Sequence, residues 1–346
     1  MQLKVTEIIN ETEDAVSVVL KNNALFNKVK YKAGQFLTVK IPIENKIEKR
    51  AYSFSSSPVT DKFLQITVKK VKEGLVSTYI CDQLRVGQKL EIEKPAGSFY
   101  VDSDKKATNR YVLFAAGSGI TPIFSITKTV LEKEPLSSVL IFYANRNPAS
   151  IIFKKHLEVL EEKYPKRFSI EHILEETSEE KPNYHQDLLN EDLVTELFLK
   201  HKLAFEDGFY MMCGPHGYMD VAKEILANKG IPRNKIKLEA FEVSTVITGD
   251  SKDMTSAVTI HQEDGTHTIQ AKGDKTILQS AMAERITLPY SCRSGMCSSC
   301  KAKCISGEVR MIDGHFLTDE EVAEGNILTC ISFPLTEKVG ISFVKD

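Results

Sequence analysis

Cys292-Arg-Ser-Gly-Met-Cys297-Ser-Ser-Cys300 places three cysteines in C-x4-C-x2-C spacing, and Cys330 follows thirty residues later. That is the spacing of a 2Fe-2S cluster, in which one loop supplies three thiolates and a later segment the fourth. Such a loop must bend closely round the irons. Ser294, Gly295, Ser298 and Ser299 are small enough to let it wrap and to turn backbone N–H groups toward the sulfurs. The rival reading is a zinc knuckle on Cys297, Cys300, Cys304 and Cys330, but zinc sites usually pair two short hooks and the second hook is missing here. Lys301 to Ile305 reads as a strand leaving the loop, which makes Cys304 an expected buried thiol.

Four of the seven cysteines fall between Cys292 and Cys304, which points to metal binding rather than disulfides. The opening Met1-Gln2-Leu3-Lys4-Val5-Thr6-Glu7 lacks the basic segment and apolar run of a signal peptide, so a reducing, cytoplasmic location is expected. With 346 residues the chain should hold two or three domains, and 42% apolar against 27% charged residues excludes a disordered chain. A formal charge of -2 gives no basic field for nucleic acid or anionic lipid, so neither is expected as a partner. No apolar run approaches the roughly 18 residues that a membrane span requires.

The pattern along the chain changes twice. Up to about Tyr100, short alternating strands (Leu3 to Ile9, Ala15 to Leu20, Gln35 to Ile41, Phe63 to Lys70, Lys89 to Lys94) predict a small antiparallel barrel, residues 1–104. From residue 105 to 243, buried strands alternate with helices: Tyr111 to Ala116, helix Pro122 to Glu132, strand Ser138 to Ala144, helix Ser150 to Lys163, strand Arg167 to Leu174, strand Phe209 to Cys213, helix Tyr218 to Asn228 and Lys235 to Phe241. That alternation predicts a doubly wound parallel sheet. Residues 244–254 read as a linker. The remainder, 255–346, holds a predicted hairpin (Ala257 to His261, Thr266 to Ala271), a short helix Thr276 to Glu284, the cysteine loop and a late strand.

Three further motifs carry chemistry. Arg50-Ala51-Tyr52-Ser53-Phe54-Ser55 offers a cation, an aromatic face and hydroxyls, and strand alternation predicts Arg50, Tyr52 and Phe54 on one face. Lys72-Glu73-Gly74-Leu75-Val76-Ser77 reads as a turn opening a helix, where free N–H groups receive phosphate. Barrel and cradle together imply a bound nucleotide. Gly117-Ser118-Gly119-Ile120-Thr121-Pro122 follows the first parallel strand and opens a helix, where ligands bind in such sheets, and Cys213-Gly214-Pro215-His216 should converge on the same crevice. His216 is expected to be a solvent-facing loop histidine rather than a general base. Asn145-Arg146-Asn147 follows the second strand, where the ribose is read. Arg146 can accept a 2′-phosphate and the turn has no acid, which favours NADPH over NADH.

Taken together these motifs resemble the ferredoxin-NADP reductase superfamily with a C-terminal plant-type ferredoxin domain, nearest to the reductase components of phenylacetyl-CoA epoxidase and similar multicomponent oxygenases. The resemblance implies a β-barrel FAD domain, a parallel-sheet NAD(P) domain and a β-grasp 2Fe-2S domain. It places Arg50 at the FAD pyrophosphate, Tyr52 and Ser53 at the isoalloxazine, Thr67, Val68 and Lys69 on the next FAD strand, and Gly74, Val76 and Ser77 in the pyrophosphate turn. Gly117, Gly119, Ile120 and Thr121 would hold the nicotinamide nucleotide, with Arg146, Gly214 and Pro215 beside it. Cys213 would lie by the reacting nicotinamide carbon, and Glu239 and Phe241 would be the carboxylate and the ring-capping aromatic at the flavin. Cys292, Cys297, Cys300 and Cys330 match the iron ligands. The implied activity is electron transfer from NAD(P)H through FAD and the cluster to a partner oxygenase. The alternatives are another redox acceptor, such as a hybrid-cluster protein or an alkane, carotenoid or fatty-acid hydroxylase, and, outside enzymes, a zinc-stabilised nucleotide-binding regulator.

Overall fold

The computed structural model describes residues 1–21, 29–44, 46–241, 254–312 and 317–344. It divides into two compact units, Met1–Glu239 and Ala240–Asp346. Apart from Met254, the linker expected over 244–254 lies outside the described residues, as do Glu242 and Val243 beside it.

The first unit opens with β1 (Gln2–Thr12), β2 (Ala15–Lys21), β3 (Phe36–Ile43), β4 (Lys46–Ser53), β5 (Leu64–Lys69), α1 (Leu75–Thr78) and β6 (Lys89–Ile92). The strands pair antiparallel in the order β4-β3-β6-β1-β2-β5. Alternation turns Leu3, Val5, Val18, Leu20, Leu37, Val39 and Ile66 into one core. The two edge strands then meet. Phe54 bridges to Ile66, and Ser55 N and Ser56 N donate to Gln65 O at 2.9 and 3.3 Å, closing the sheet into a barrel. This closure corrects the predicted face of Phe54: β4 ends at Ser53, and 53–57 run inward as a continuous buried segment with Phe54 in the core.

The same serine run joins the barrel to the parallel sheet. That sheet consists of β7 (Arg110–Ala116), β8 (Ser138–Asn145), β9 (Phe168–Leu174), β10 (Tyr184–Gln186), β11 (Gly208–Cys213) and β12 (Ile236–Glu239), in the order β10-β9-β8-β7-β11-β12 and wholly parallel. Helices α2 (Ile120–Lys133), α3 (Lys154–Lys163), α4 (Glu191–Lys200) and α5 (His216–Asn228) connect it. Ser125 Oγ donates to Ser56 O at 2.5 Å, and the Ser57 and Thr129 hydroxyls lie 2.8 Å apart. Packed between sheet and barrel, α2 buries eleven of its fourteen residues. Two expectations are corrected here. Helix α3 starts at Lys154 instead of Ser150, because Phe153 takes a left-handed conformation (φ 63°) that cannot continue a helix. Strand β10 and helix α4 fill a stretch that the alternation left unassigned.

The end of helix α4 also completes a charge cluster round one buried carboxylate. Glu171, 2% exposed, accepts from His185 Nε2 at 2.7 Å, His201 Nε2 at 2.5 Å and Lys200 Nζ at 2.7 Å. Burial pushes its carboxyl up, but the three donors outweigh this and bring its pKa to about 2. The depressed value means that the stabilisation is present above the usual carboxylate pKa and is lost as pH falls toward 2. Glu171→Ala is therefore expected to cost about 1.5–3 kcal/mol near neutral pH, since the histidines and lysine left behind can still reach solvent. Urea midpoints measured from pH 7 to pH 3 should fall more steeply for the wild type than for the variant; parallel profiles would remove Glu171 from the acid response.

The second unit is built on β13 (Thr255–Gln262), β14 (Gly265–Lys272), β15 (Lys301–Ser306), β16 (Val309–Met311), β17 (Asn326–Leu328), β18 (Ser332–Pro334) and β19 (Lys338–Ser342), with α6 (Ile277–Ala283) and α7 (Asp319–Ala323). A five-stranded sheet, β14-β13-β19-β15-β17, packs α6 in a β-grasp arrangement, and β16 pairs with β18. Thr276 caps α6 reciprocally with Gln279, which fixes where the helix starts relative to the hairpin.

Candidate functional site

The strand order reverses between β7 and β11, so the loops leaving their carboxyl ends face each other across a crevice. From β7 come Gly117 and Gly119, and from β11 come Gly214 and Pro215. Gly117 has φ +52°. A Cβ on Gly119 would lie 1.9 Å from Cys213 O, so only glycine lets the two loops come this close. Ile120 and Thr121 are buried at the start of α2, and Thr121 Oγ1 donates to Ser118 O at 3.0 Å. Below the Gly117 loop lies a cavity of about 410 Å³. Ile173, Leu188, Leu189 and Val221 supply its apolar surface, and Lys69, Arg146, Glu175 and Asp187 its charges. An apolar slot beside close-packed glycine loops is the shape a nucleotide needs.

Cys213 and Glu239 are register partners at the ends of β11 and β12, and both are buried. Burial and then the neighbouring carboxylate push the Cys213 thiol well up, so it stays protonated. Phe241, two residues beyond Glu239, is 40% exposed. His216 is the first residue of α5 and is half-exposed.

In the barrel, β4 carries Arg50, Tyr52 and Ser53. The Ser53 hydroxyl is buried and has no hydrogen-bond partner among the described residues, which is costly unless a ligand satisfies it. Thr67 is buried on β5 between the Ser17 and Ser55 hydroxyls, at 2.7 and 2.8 Å, and Val68 lies in the core. Gly74 precedes α1, where a Cβ would lie 2.4 Å from both Ser77 Oγ and Val71 Cγ2. Val76 faces the core, so only its backbone can reach a phosphate. These features fit a flavin nucleotide: a donor awaiting a partner, an aromatic beside it, and a glycine turn next to a cation-bearing strand.

In the second unit, Cys292, Cys297, Cys300 and Cys330 converge with exposures of 8%, 4%, 1% and 4%. The Cys297 thiol lies 3.2 Å from Cys292 Sγ, and Cys330 has both Cys292 and Cys300 as its neighbours. The neighbouring Cys297 and Cys330 thiols hold Cys292 below the usual thiol range, so it is the member of the cluster that most readily carries the negative charge. Thr329 sets the fourth sulfur in place, since its N and Oγ1 bond Cys300 O at 3.1 and 3.3 Å and its carbonyl accepts from Leu278 N at 3.0 Å. Ser294 N donates to Cys292 Sγ at 3.4 Å, as the small residues of the loop predicted. Four soft donors in a buried pocket fit an iron–sulfur cluster. Cys304 is corrected from buried to half-buried: it sits on β15 outside this pocket, with its thiol near Ser306 O and Gly307 O at 3.6 and 3.7 Å.

Sequence reasoning missed Glu175, Asp187, Leu188, Leu189 and Tyr218 as cavity residues. Glu175 follows β9 directly, so the rule that ligands lie at the carboxyl ends of strands would have flagged it. The three-residue β10 left no pattern that could flag Asp187.

Residues 2–100 match the oxidoreductase FAD-binding domain family, 113–224 the oxidoreductase NAD-binding domain family and 260–335 the 2Fe-2S iron-sulfur cluster binding domain family. The chain is 34% identical over 356 residues to the ferredoxin reductase component of 3-ketosteroid-9-alpha-monooxygenase from Rhodococcus rhodochrous, which spans 99% of this chain and 96% of that one. It is 31% identical to a 1,2-phenylacetyl-CoA epoxidase subunit from Escherichia coli, across 99% and 97% of the two chains. The solved structure of phthalate dioxygenase reductase shares the fold, with a TM-score of 0.65 at 22% identity over 99% of this chain and 98% of that one. No described helix is long and apolar enough to cross a membrane. With three domain families in this order and relatives matched along their length, the chain belongs to the ferredoxin-NADP reductase superfamily, as an NAD(P)H-dependent flavin and iron–sulfur oxidoreductase with a C-terminal ferredoxin-type domain.

Proposed function

We propose that this chain is the reductase component of a multicomponent oxygenase, with an acceptor of the phenylacetyl-CoA epoxidase type as the first to test. The observation that carries the proposal is the presence, in one chain, of a nucleotide crevice, a flavin-type barrel and a four-thiol pocket. When bound, NAD(P)H supplies a hydride, FAD takes both electrons and the 2Fe-2S cluster passes them on singly. The protein's part is orientation and electrostatics. Arg50 neutralises the flavin pyrophosphate with the Gly74 turn, Val76 and Ser77, while Tyr52 covers the ring and Ser53 donates to it. Thr67, Val68 and Lys69 line the next strand. Gly117, Gly119, Ile120, Thr121, Gly214 and Pro215 hold the coenzyme against the flavin. Cys213, kept as a thiol by burial and by Glu239, packs at the reacting carbon without acting as a nucleophile. Phe241 shields the flavin ring from oxygen. Cys292, Cys297, Cys300 and Cys330 ligate the irons. The division of labour follows residues 1–104, 105–243 and 255–346, and cysteines clustered for a metal centre rather than for disulfides suit the cytoplasm.

The coenzyme we propose is NADH, in place of the NADPH that the Asn145-Arg146-Asn147 turn suggests when read by itself. Arg146 lies 3.4 Å from Asp14, and Glu175 and Asp187 line the same cavity, which makes it unfavourable to a 2′-phosphate dianion. Steady-state kinetics should give kcat/KM for NADH about tenfold or more above NADPH, a difference of ~1.4 kcal/mol. The acceptor is tested by mixing the purified holoprotein with epoxidase oxygenase components and following product per NADH consumed. Near-stoichiometric coupling is expected. NADH oxidation with ferricyanide but no product with any oxygenase would overturn this reading.

A further inference from the structure

We propose that Asp14, a residue of the barrel, determines coenzyme specificity by keeping Arg146 of the nucleotide domain from engaging a 2′-phosphate. The inference deepens the coenzyme reading above and rests on it only in placing NAD(P)H in this crevice.

Asp14 occupies the turn between β1 and β2, whose last pair is Thr12 with Ala15. Its place is fixed from two sides. Thr12 Oγ1 donates to Asp14 Oδ1 at 2.8 Å, and Lys70 N donates to Asp14 O at 2.7 Å. With Oδ1 held by the hydroxyl, Oδ2 serves the cations: Lys69 Nζ lies 3.5 Å and Arg146 Nη2 3.4 Å from it. Both cations line the 410 Å³ cavity below the Gly117 loop. One carboxylate is thus shared by the two basic groups that an incoming nucleotide anion would use.

The two cations differ in what they can read. Lys69 Nζ lies near Gly117, 3.9 Å from where a Cβ would stand, which is the pyrophosphate end shared by both coenzymes. Arg146 follows β8, where the ribose is read and where only NADPH brings a further phosphate. Its side chain is 65% exposed, so it can swing between a carboxylate and a phosphate. Asp14 competes for that guanidinium, and its own negative charge adds to the repulsion by Glu175 and Asp187 on the same cavity.

The test compares the full-length holoprotein with Asp14→Asn, which removes the charge and keeps the amide oxygen for Thr12. Binding of two probes, 2′,5′-ADP and 5′-ADP, is measured by calorimetry at fixed ionic strength, with flavin and cluster absorbance as the check on folding. Asp14→Asn should tighten 2′,5′-ADP about fivefold more than it tightens 5′-ADP, the upper range for an exposed charge pair, because Lys69, released by the same change, serves the 5′-phosphate of both probes. The gain should vanish in Asp14→Asn/Arg146→Ala. Equal tightening of both probes, no tightening, or a gain that survives loss of Arg146 would each overturn the proposal. The wild-type NADH/NADPH ratio separately tests the coenzyme reading: a wild type that prefers NADPH sinks that reading, whereas the effect of Asp14→Asn is a difference between variants and stands or falls by itself.

Discussion

Replacing Cys297 with Ser is expected to lower cytochrome c reduction about 100-fold or more while leaving ferricyanide reduction within about twofold of the wild type. Cys297 is 4% exposed and 3.2 Å from Cys292 Sγ, so no solvent ligand can easily take its place. A serine oxygen there is harder, shorter and far less acidic than a thiol, a poor match for iron that prefers sulfide and thiolate partners. The nucleotide crevice and the flavin barrel belong to Met1–Glu239, with cores of their own, so the lesion should stay within the second unit. Ferricyanide draws electrons from the flavin, whereas cytochrome c reports delivery through the cluster. Loss of the visible cluster bands and of the reduced-state paramagnetic signal should accompany the kinetic change. Cys304→Ser is the control, since that thiol lies half-buried on β15 outside the pocket, and it should retain both activities and the spectrum. Equal loss of both activities in Cys297→Ser, or undiminished cytochrome c reduction, would contradict an electron order ending at the cluster.

What could be read from the sequence was local in the chain. The cysteine spacing, the alternation of β1, β2 and β5, and the glycine turns after β7 and β11 are written within a few residues, and the structure carries each of them close to its predicted bounds. The less legible parts depend on partners far apart in sequence. Phe54 turns inward because β4 must cross to Ile66 on β5 to close the barrel, which no alternation rule contains. The late start of α3 rests on a single left-handed Phe153 behind a 3₁₀ turn over Pro148–Ser150. Helix α4 did carry a signal, an Asn190 cap with Leu193, Val194, Leu197 and Phe198 on its buried side, but the parallel-sheet rhythm does not anticipate a three-residue strand before it. Asp14 is an ordinary turn residue in the sequence. Its significance arises only when β8 brings Arg146 beside the barrel hairpin.

The second large effect is expected at Gly119, where Ala should weaken coenzyme binding by more than about tenfold and destabilise the first unit by about 1–3 kcal/mol. The cause is steric, because Gly119 has ordinary helical angles (φ -60°, ψ -15°) that alanine adopts freely. Its Cβ would lie 1.9 Å from Cys213 O, 2.4 Å from Cys213 C and 2.9 Å from Gly214 N, all of them backbone atoms. No rotamer change relieves such a contact. The β11 loop must move away from the start of α2, and with it Cys213 and its register partner Glu239. Both walls of the crevice are therefore displaced by one methyl group, whereas an adjacent loss of a side chain would leave them in place. Melting temperature should fall by roughly 2–4 °C per kcal/mol for a unit of this size. Gly217→Ala provides the comparison: its Cβ meets nothing within 4 Å on α5, so its melting temperature should match or exceed that of the wild type. If Gly119→Ala binds coenzyme and melts like Gly217→Ala, the close approach of the two loops is not what holds the nucleotide, and the crevice would have to owe its affinity to the charged and apolar wall residues alone.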